Sequence, residues 1–126
     1  MKDPGIKVLI VEDAQLVLDR LFEIINELPC VAEVFTAIGY HEAIALIEEQ
    51  EPGLVLLDIH LPEKNGIELL QFLKQYYPAI KTVMLTNQAT DNYKLLCEKI
   101  GADHFIDKSS EFEQITGIIE SYRLKT

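Results

Sequence analysis

Five residues able to do chemistry stand just past short apolar runs. Glu12 and Asp13 follow Lys7–Val11, Asp58 follows Leu54–Leu57, Thr86 follows Lys81–Leu85, and Lys108 follows His104–Ile106 shortly downstream. If those runs are neighbouring strands, the five side chains meet at one end of a sheet. Three carboxylates in one pocket repel each other unless positive charge joins them. A divalent cation and the Lys108 ammonium would supply that charge, and an all-oxygen ligand set favours Mg²⁺ or Mn²⁺ over zinc. A carboxylate in such a pocket can act as a nucleophile toward phosphorus and form an aspartyl phosphate. The metal would bridge acceptor and phosphoryl oxygens, Lys108 would pair with another oxygen, and the Thr86 hydroxyl could donate to a third. The chain carries no Gly-rich loop with a following Lys and no Gly-x-Gly-x-x-Gly. A phosphoryl donor must therefore come from outside it.

The elements that would position these residues alternate along the chain. After the first strand, Leu18, Leu21, Phe22, Ile25 and Leu28 recur at spacings of three and four, a helix stripe ended by Pro29. A weaker strand, Val31–Thr36, is interrupted by Glu33, and a helix follows over His41–Gln50. Leu54–Leu57 is apolar on both faces, the mark of a strand buried on both sides. Leu61–Gly66 reads as a loop, and Gly66–Tyr76 as a helix burying Leu69, Leu70 and Leu73. Asp91–Ile100 is a fourth helix ending at Gly101, and the fifth begins at Ser110, where Ser110 and Glu113 fit a capping box. That last helix is expected to bury Phe112, Ile115, Ile119 and Tyr122. Strands alternating with helices imply an α/β fold, a parallel sheet covered on both faces. The apolar first and third strands belong inside and the Glu33 strand at an edge, which favours the flavodoxin-like order 2-1-3-4-5. Ligands in such sheets bind beyond the carboxyl ends of the strands, at the switch point between strands one and three.

Length and charge narrow the options. The chain has 126 residues, which predicts one domain over 1–126, with enough core to fold without a metal or disulfide. Its net charge of −10 argues against nucleic acid as a direct partner. No run of about 18 apolar residues predicts a membrane span, and the start of the chain does not read as a signal peptide. Cys30 and Cys97 lie far apart with no Cys-x-x-Cys and read as reduced, partly buried thiols of a cytoplasmic protein.

Four separated pieces of this chain resemble the receiver domain of two-component response regulators, and the resemblance covers nearly its whole length. They are Val11-Glu12-Asp13, Asp58 to Gly66, Leu85-Thr86, and Phe105-Ile106-Asp107-Lys108. The resemblance implies that Asp58 is the phospho-acceptor. It implies Glu12, Asp13 and Asp58 as metal ligands together with the His60 backbone carbonyl. Thr86 and Lys108 would be the phosphate-sensing pair, and Phe105 the switch aromatic. Pro62 and Gly66 would shape the loop after the acceptor. It further implies a histidine kinase or histidine phosphotransfer protein as donor and an output domain or protein downstream. The output surface, and the face of a phosphorylation-dependent dimer, would be the fourth helix, fifth strand and fifth helix. The domain would be no enzyme beyond Mg²⁺-dependent self-phosphorylation and slow self-dephosphorylation.

Some positions depart from the commonest receiver pattern. Ser109 follows Lys108 where many receivers have proline in a cis peptide, and a cis bond is far less favourable before serine. Asn87 replaces a small residue after Thr86, and Phe105 lacks a hydroxyl. His60 and Gln88 occupy positions that tune phosphoryl lifetime in the family. Three alternatives compete with the signalling switch. A flavodoxin-like FMN carrier would need a Ser/Thr-rich phosphate loop after the first strand, where Glu12 and Asp13 would repel a phosphate unless a metal intervened. An aspartyl phosphatase of the haloacid-dehalogenase kind would need a second Asp at position 60, where this chain has His. A receiver-like module that binds without phosphate would not need the full acidic set with Thr86 and Lys108. His41 and His104 stand isolated in sequence, Lys94 and Lys99 read as a solvated helix face, and Tyr76, Tyr77 and Pro78 read as a helix end. The chain stops soon after the fifth helix, as expected of a stand-alone regulator or an excised receiver.

Overall fold

The computed structural model describes residues 5–86, 91–108 and 113–123. Five strands, β1 (Ile6–Val11), β2 (Val31–Ala37), β3 (Leu54–Asp58), β4 (Lys81–Thr86) and β5 (His104–Asp107), alternate with five helices. The helices are α1 (Gln15–Asn26), α2 (Tyr40–Gln50), α3 (Gly66–Tyr76), α4 (Asp91–Ile100) and α5 (Gln114–Arg123). Every strand pair is parallel, and the order is β2-β1-β3-β4-β5. This is the doubly wound arrangement expected from the alternation, with the Glu33 strand at an edge.

Strand alternation divides the core into two layers. Leu9, Val11, Val55, Leu57 and Met84 point to one face and pack on Ala43 and Ile47 of α2, Leu69, Leu70 and Leu73 of α3, and Cys97 of α4. Val8, Ile10, Leu54, Leu56, Val83, Leu85 and Ile106 point to the other and meet Leu18, Leu21 and Ile25 of α1 and Ile115 and Ile119 of α5. Each fully buried Leu or Ile contributes about 1.5–3 kcal/mol by leaving water. Both cysteines are buried and free.

Some expectations need adjustment. Phe22 stays 37% exposed, because the α1 stripe that reaches the sheet is Leu18, Leu21 and Ile25. Leu28 lies beyond the end of α1, where its N–H donates to the Ile25 carbonyl at 3.1 Å. Tyr122 is half-buried. The capping box at Ser110, Phe112, Asn87, Gln88 and the Ser109 side of the Lys108–Ser109 bond lie outside the described residues. None of the described helices is long and apolar enough to cross a membrane.

Candidate functional site

The carboxyl ends of β1 and β3 lie side by side, Val11 in register with Leu57. Glu12 leaves β1 fully buried, its backbone held by an N–H donated to the Ala37 carbonyl at 3.0 Å. Asp58, the last residue of β3, is 5% exposed. Asp13 sits at the exposed rim. Glu12, Asp13 and Asp58 each offer an oxygen within 4.8 Å of the others. Thr86 ends β4 and is fully buried.

Lys108 enters from beyond β5. Its N–H donates to the Thr86 carbonyl at 2.8 Å, which continues the β4–β5 pairing and fixes the side chain beside the acids. Its ammonium lies 2.5 Å from Glu12 Oε1 and 3.3 Å from Asp58 Oδ2. The other Glu12 oxygen accepts from the Ala14 N–H at 3.3 Å. Burial pushes the Glu12 carboxyl above its ordinary range; the Lys108 hydrogen bond opposes that rise and neighbouring Asp58 adds to it. One ammonium against three carboxylates leaves unbalanced negative charge in a site of oxygen donors. That donor set fits a hard divalent cation such as Mg²⁺.

The loop after Asp58 is built tightly. The Ile59 N–H donates to the Leu85 carbonyl at 3.2 Å, and the Gly66 N–H donates to the Ile59 carbonyl at 2.7 Å. A β-carbon on Gly66 would lie 2.0 Å from the Asp58 carbonyl oxygen, so only glycine permits this approach. Asn65 caps α3 by accepting from the Glu68 N–H at 3.0 Å. Pro62 is exposed. The His60 N–H donates to Asp58 Oδ1 at 3.3 Å, and its ring meets Tyr93 of α4 edge to face at 5.9 Å. Phe105 is half-buried and packs on the core layer shared with Met84 and Cys97.

All five residues picked out at the strand ends therefore share one end of the sheet. Two histidines that look isolated in sequence have partners in space. His41 Nδ1 lies 2.7 Å from Glu63 Oε2, a contact that holds the Glu63 carboxyl below its ordinary range and ties the loop after Asp58 to α2. Lys64 lies over the Tyr40 ring at 5.0 Å and adds a second tie. His104 Nε2 lies 2.7 Å from the Tyr122 hydroxyl, joining β5 to α5. Periodicity carries no sign of these pairs, because each links different elements.

The model of the response regulator receiver domain family matches residues 8–120. The sensory transduction protein LytT of Enterococcus faecalis is 35% identical over 113 residues, covering 90% of this chain and 46% of that protein. A protein-glutamate methylesterase/protein-glutamine glutaminase of Treponema denticola is 32% identical over 120 residues, covering 92% of this chain and 32% of that protein. This chain thus spans less than half the length of either relative. Among solved structures, a LuxR-family two-component response regulator from Aurantimonas superposes with a TM-score of 0.87 at 26% identity, covering 96% of this chain and 86% of that one. A match over nearly the whole length, on a five-stranded sheet of the same order with an acidic cluster at its switch point, makes this chain a member of the response regulator receiver domain family.

Proposed function

We propose that the domain, read as one unit over 1–126, is a phosphorylation-activated switch of a two-component phosphorelay, with Asp58 as acceptor. The observation that carries this reading is the buried Asp58 carboxylate beside Lys108 and within 4.8 Å of the Glu12 and Asp13 oxygens. An Asp58 oxygen attacks the phosphorus of a phosphohistidine on a histidine kinase or phosphotransfer protein. The new O–P bond forms as the N–P bond breaks, and the imidazole leaves with the electron pair. Glu12, Asp13, Asp58 and the His60 carbonyl would hold Mg²⁺ or Mn²⁺, which supplies charge neutralisation to the phosphoryl oxygens when bound. Lys108 moves from its Glu12 and Asp58 contacts toward a phosphoryl oxygen. The Thr86 hydroxyl donates to another, drawing the end of β4 inward and freeing space for Phe105 to repack. The surface of α4, β5 and α5 then changes shape for a downstream output domain or protein, or for a second copy of the domain.

The domain's own chemistry is accepting and slowly losing the phosphoryl group. Methylesterase activity is named for relatives of which this chain covers 32% and 36%. The net charge of −10 argues against direct contact with nucleic acid, and a cytoplasmic location suits such a domain. Histidine at position 60 leaves no second aspartate to serve a phosphatase as general acid.

Incubation with a small acyl phosphate and Mg²⁺ tests the reading. The expected result is one acid-stable, base-labile phosphoryl group per chain, abolished by chelator and by Asp58→Asn. Undiminished labelling of Asp58→Asn overturns the acceptor assignment, and labelling in chelator overturns the metal requirement.

A further inference from the structure

The backbone position of His60 and the carboxylate of Asp58 are linked by the hydrogen bond from His60 N–H to Asp58 Oδ1. The His60 ring is exposed, and the face it turns toward the protein meets Tyr93 with ring planes at 84°. Tyr93 is itself half-buried and packs on the core layer that holds Leu57, Ile59, Met84 and Cys97. One aromatic contact thus joins the loop after the acceptor to α4 without passing through Thr86. Edge-to-face pairs favour one relative orientation of their rings, so this contact constrains direction as well as distance.

We propose that Tyr93 is a positioning residue for the acidic site. Acting through the His60 ring, it holds the loop of residues 59–65 against α4 and sets where the His60 peptide lies relative to Asp58. The inference rests on reading the Asp58 cluster as a divalent-cation site. Linkage makes the coupling reciprocal: whatever displaces α4, including a partner docked on it, changes the site's cation affinity, and cation binding changes α4 by the same factor.

The test uses the unphosphorylated chain, so a protein that never accepted phosphate on Asp58 would still answer it. The readouts are the His60 ring proton shifts by NMR and the Mg²⁺ affinity by titration. Tyr93→Leu should remove the ring-current shift at His60 and weaken Mg²⁺ about two- to tenfold, the span of one aromatic pair. Tyr93→Phe keeps the ring and should keep both. His60→Leu should weaken Mg²⁺ by the same factor and shift the Tyr93 ring signals in turn; as a change at an exposed side chain, it decides the matter if Tyr93→Leu fails to fold. Unchanged Mg²⁺ affinity in Tyr93→Leu or in His60→Leu overturns the proposal, as does a Tyr93→Phe chain that behaves like Tyr93→Leu. Loss of all Mg²⁺ binding in the parent chain would instead overturn the cation-site reading beneath it.

Discussion

Gly66 shows how one residue type shapes the site. A β-carbon there would meet the Asp58 carbonyl oxygen at 2.0 Å and Ile59 Cα at 3.0 Å. Both are backbone atoms and cannot swing aside, so Gly66→Ala must shift the loop that follows Asp58. The expected cost is about 2–3 kcal/mol, read as a lower urea midpoint at unchanged slope. A variant as stable as the parent would contradict the close approach. Asp13 differs from Glu12 in the opposite way. Glu12 is fully buried and paired with Lys108, whereas Asp13 is exposed. Asp13→Asn therefore removes a repelling charge without orphaning a buried partner. Mg²⁺ affinity should fall by about tenfold or more, while stability in chelator should hold or rise by up to about 1 kcal/mol. Calorimetric titration and urea unfolding measure the two; a loss of metal-free stability would mean that Asp13 is a structural residue.

Between elements, Asp103 ties three together. Its carboxylate accepts from the Thr82 N–H at 2.9 Å, the Thr82 hydroxyl at 3.2 Å and the Lys74 ammonium at 3.3 Å, joining the starts of β4 and β5 to the end of α3. Burial alone would raise its pKa, but the Thr82 N–H and Lys74 outweigh it and hold the carboxyl below its ordinary range. A folded-state pKa below the unfolded value contributes stability that is complete above the ordinary aspartate pKa of about 3.9 and is lost as pH falls through the folded value. Asp103→Asn should thus cost about 1 kcal/mol at pH 7 and lose less further stability than the parent on going to pH 3. Parallel losses in the two chains, followed by urea midpoints, would exclude Asp103 as the source. The strands at this scale were legible because β3 is apolar on both faces and β1 nearly so. Phe22 misled because helical spacing alone places it near Leu18, while the sheet reaches only the Leu18–Leu21–Ile25 stripe. The His41–Glu63 and His104–Tyr122 pairs lie 22 and 18 residues apart, and no local period relates them.

For the whole molecule, the location of the site follows from topology. Once β1 and β3 are neighbours, residues just past them meet, so the sequence alone groups Glu12, Asp13 and Asp58. The pairing inside the group was not legible in the same way. Lys108 lies 2.5 Å from Glu12 and 3.3 Å from Asp58, both buried, while Asp13 stays at the exposed rim, and no spacing along the chain sets that order. The proposed response is also a property of the whole domain, since Thr86, Phe105 and α4 must move together. Thr86→Ala should leave Asp58 able to accept phosphate while reducing the chemical-shift changes at Phe105 and α4 on adding a beryllofluoride mimic. A full parental response would remove Thr86 from the pathway. The central claim concerns where the phosphoryl group goes, and reductive trapping reads this directly. Borohydride converts an aspartyl phosphate to homoserine, which peptide sequencing by mass spectrometry locates to one position. After treatment with acyl phosphate and Mg²⁺, homoserine is expected at position 58 alone; homoserine at position 13 or elsewhere, or none in a chain shown to bind Mg²⁺, would contradict the account.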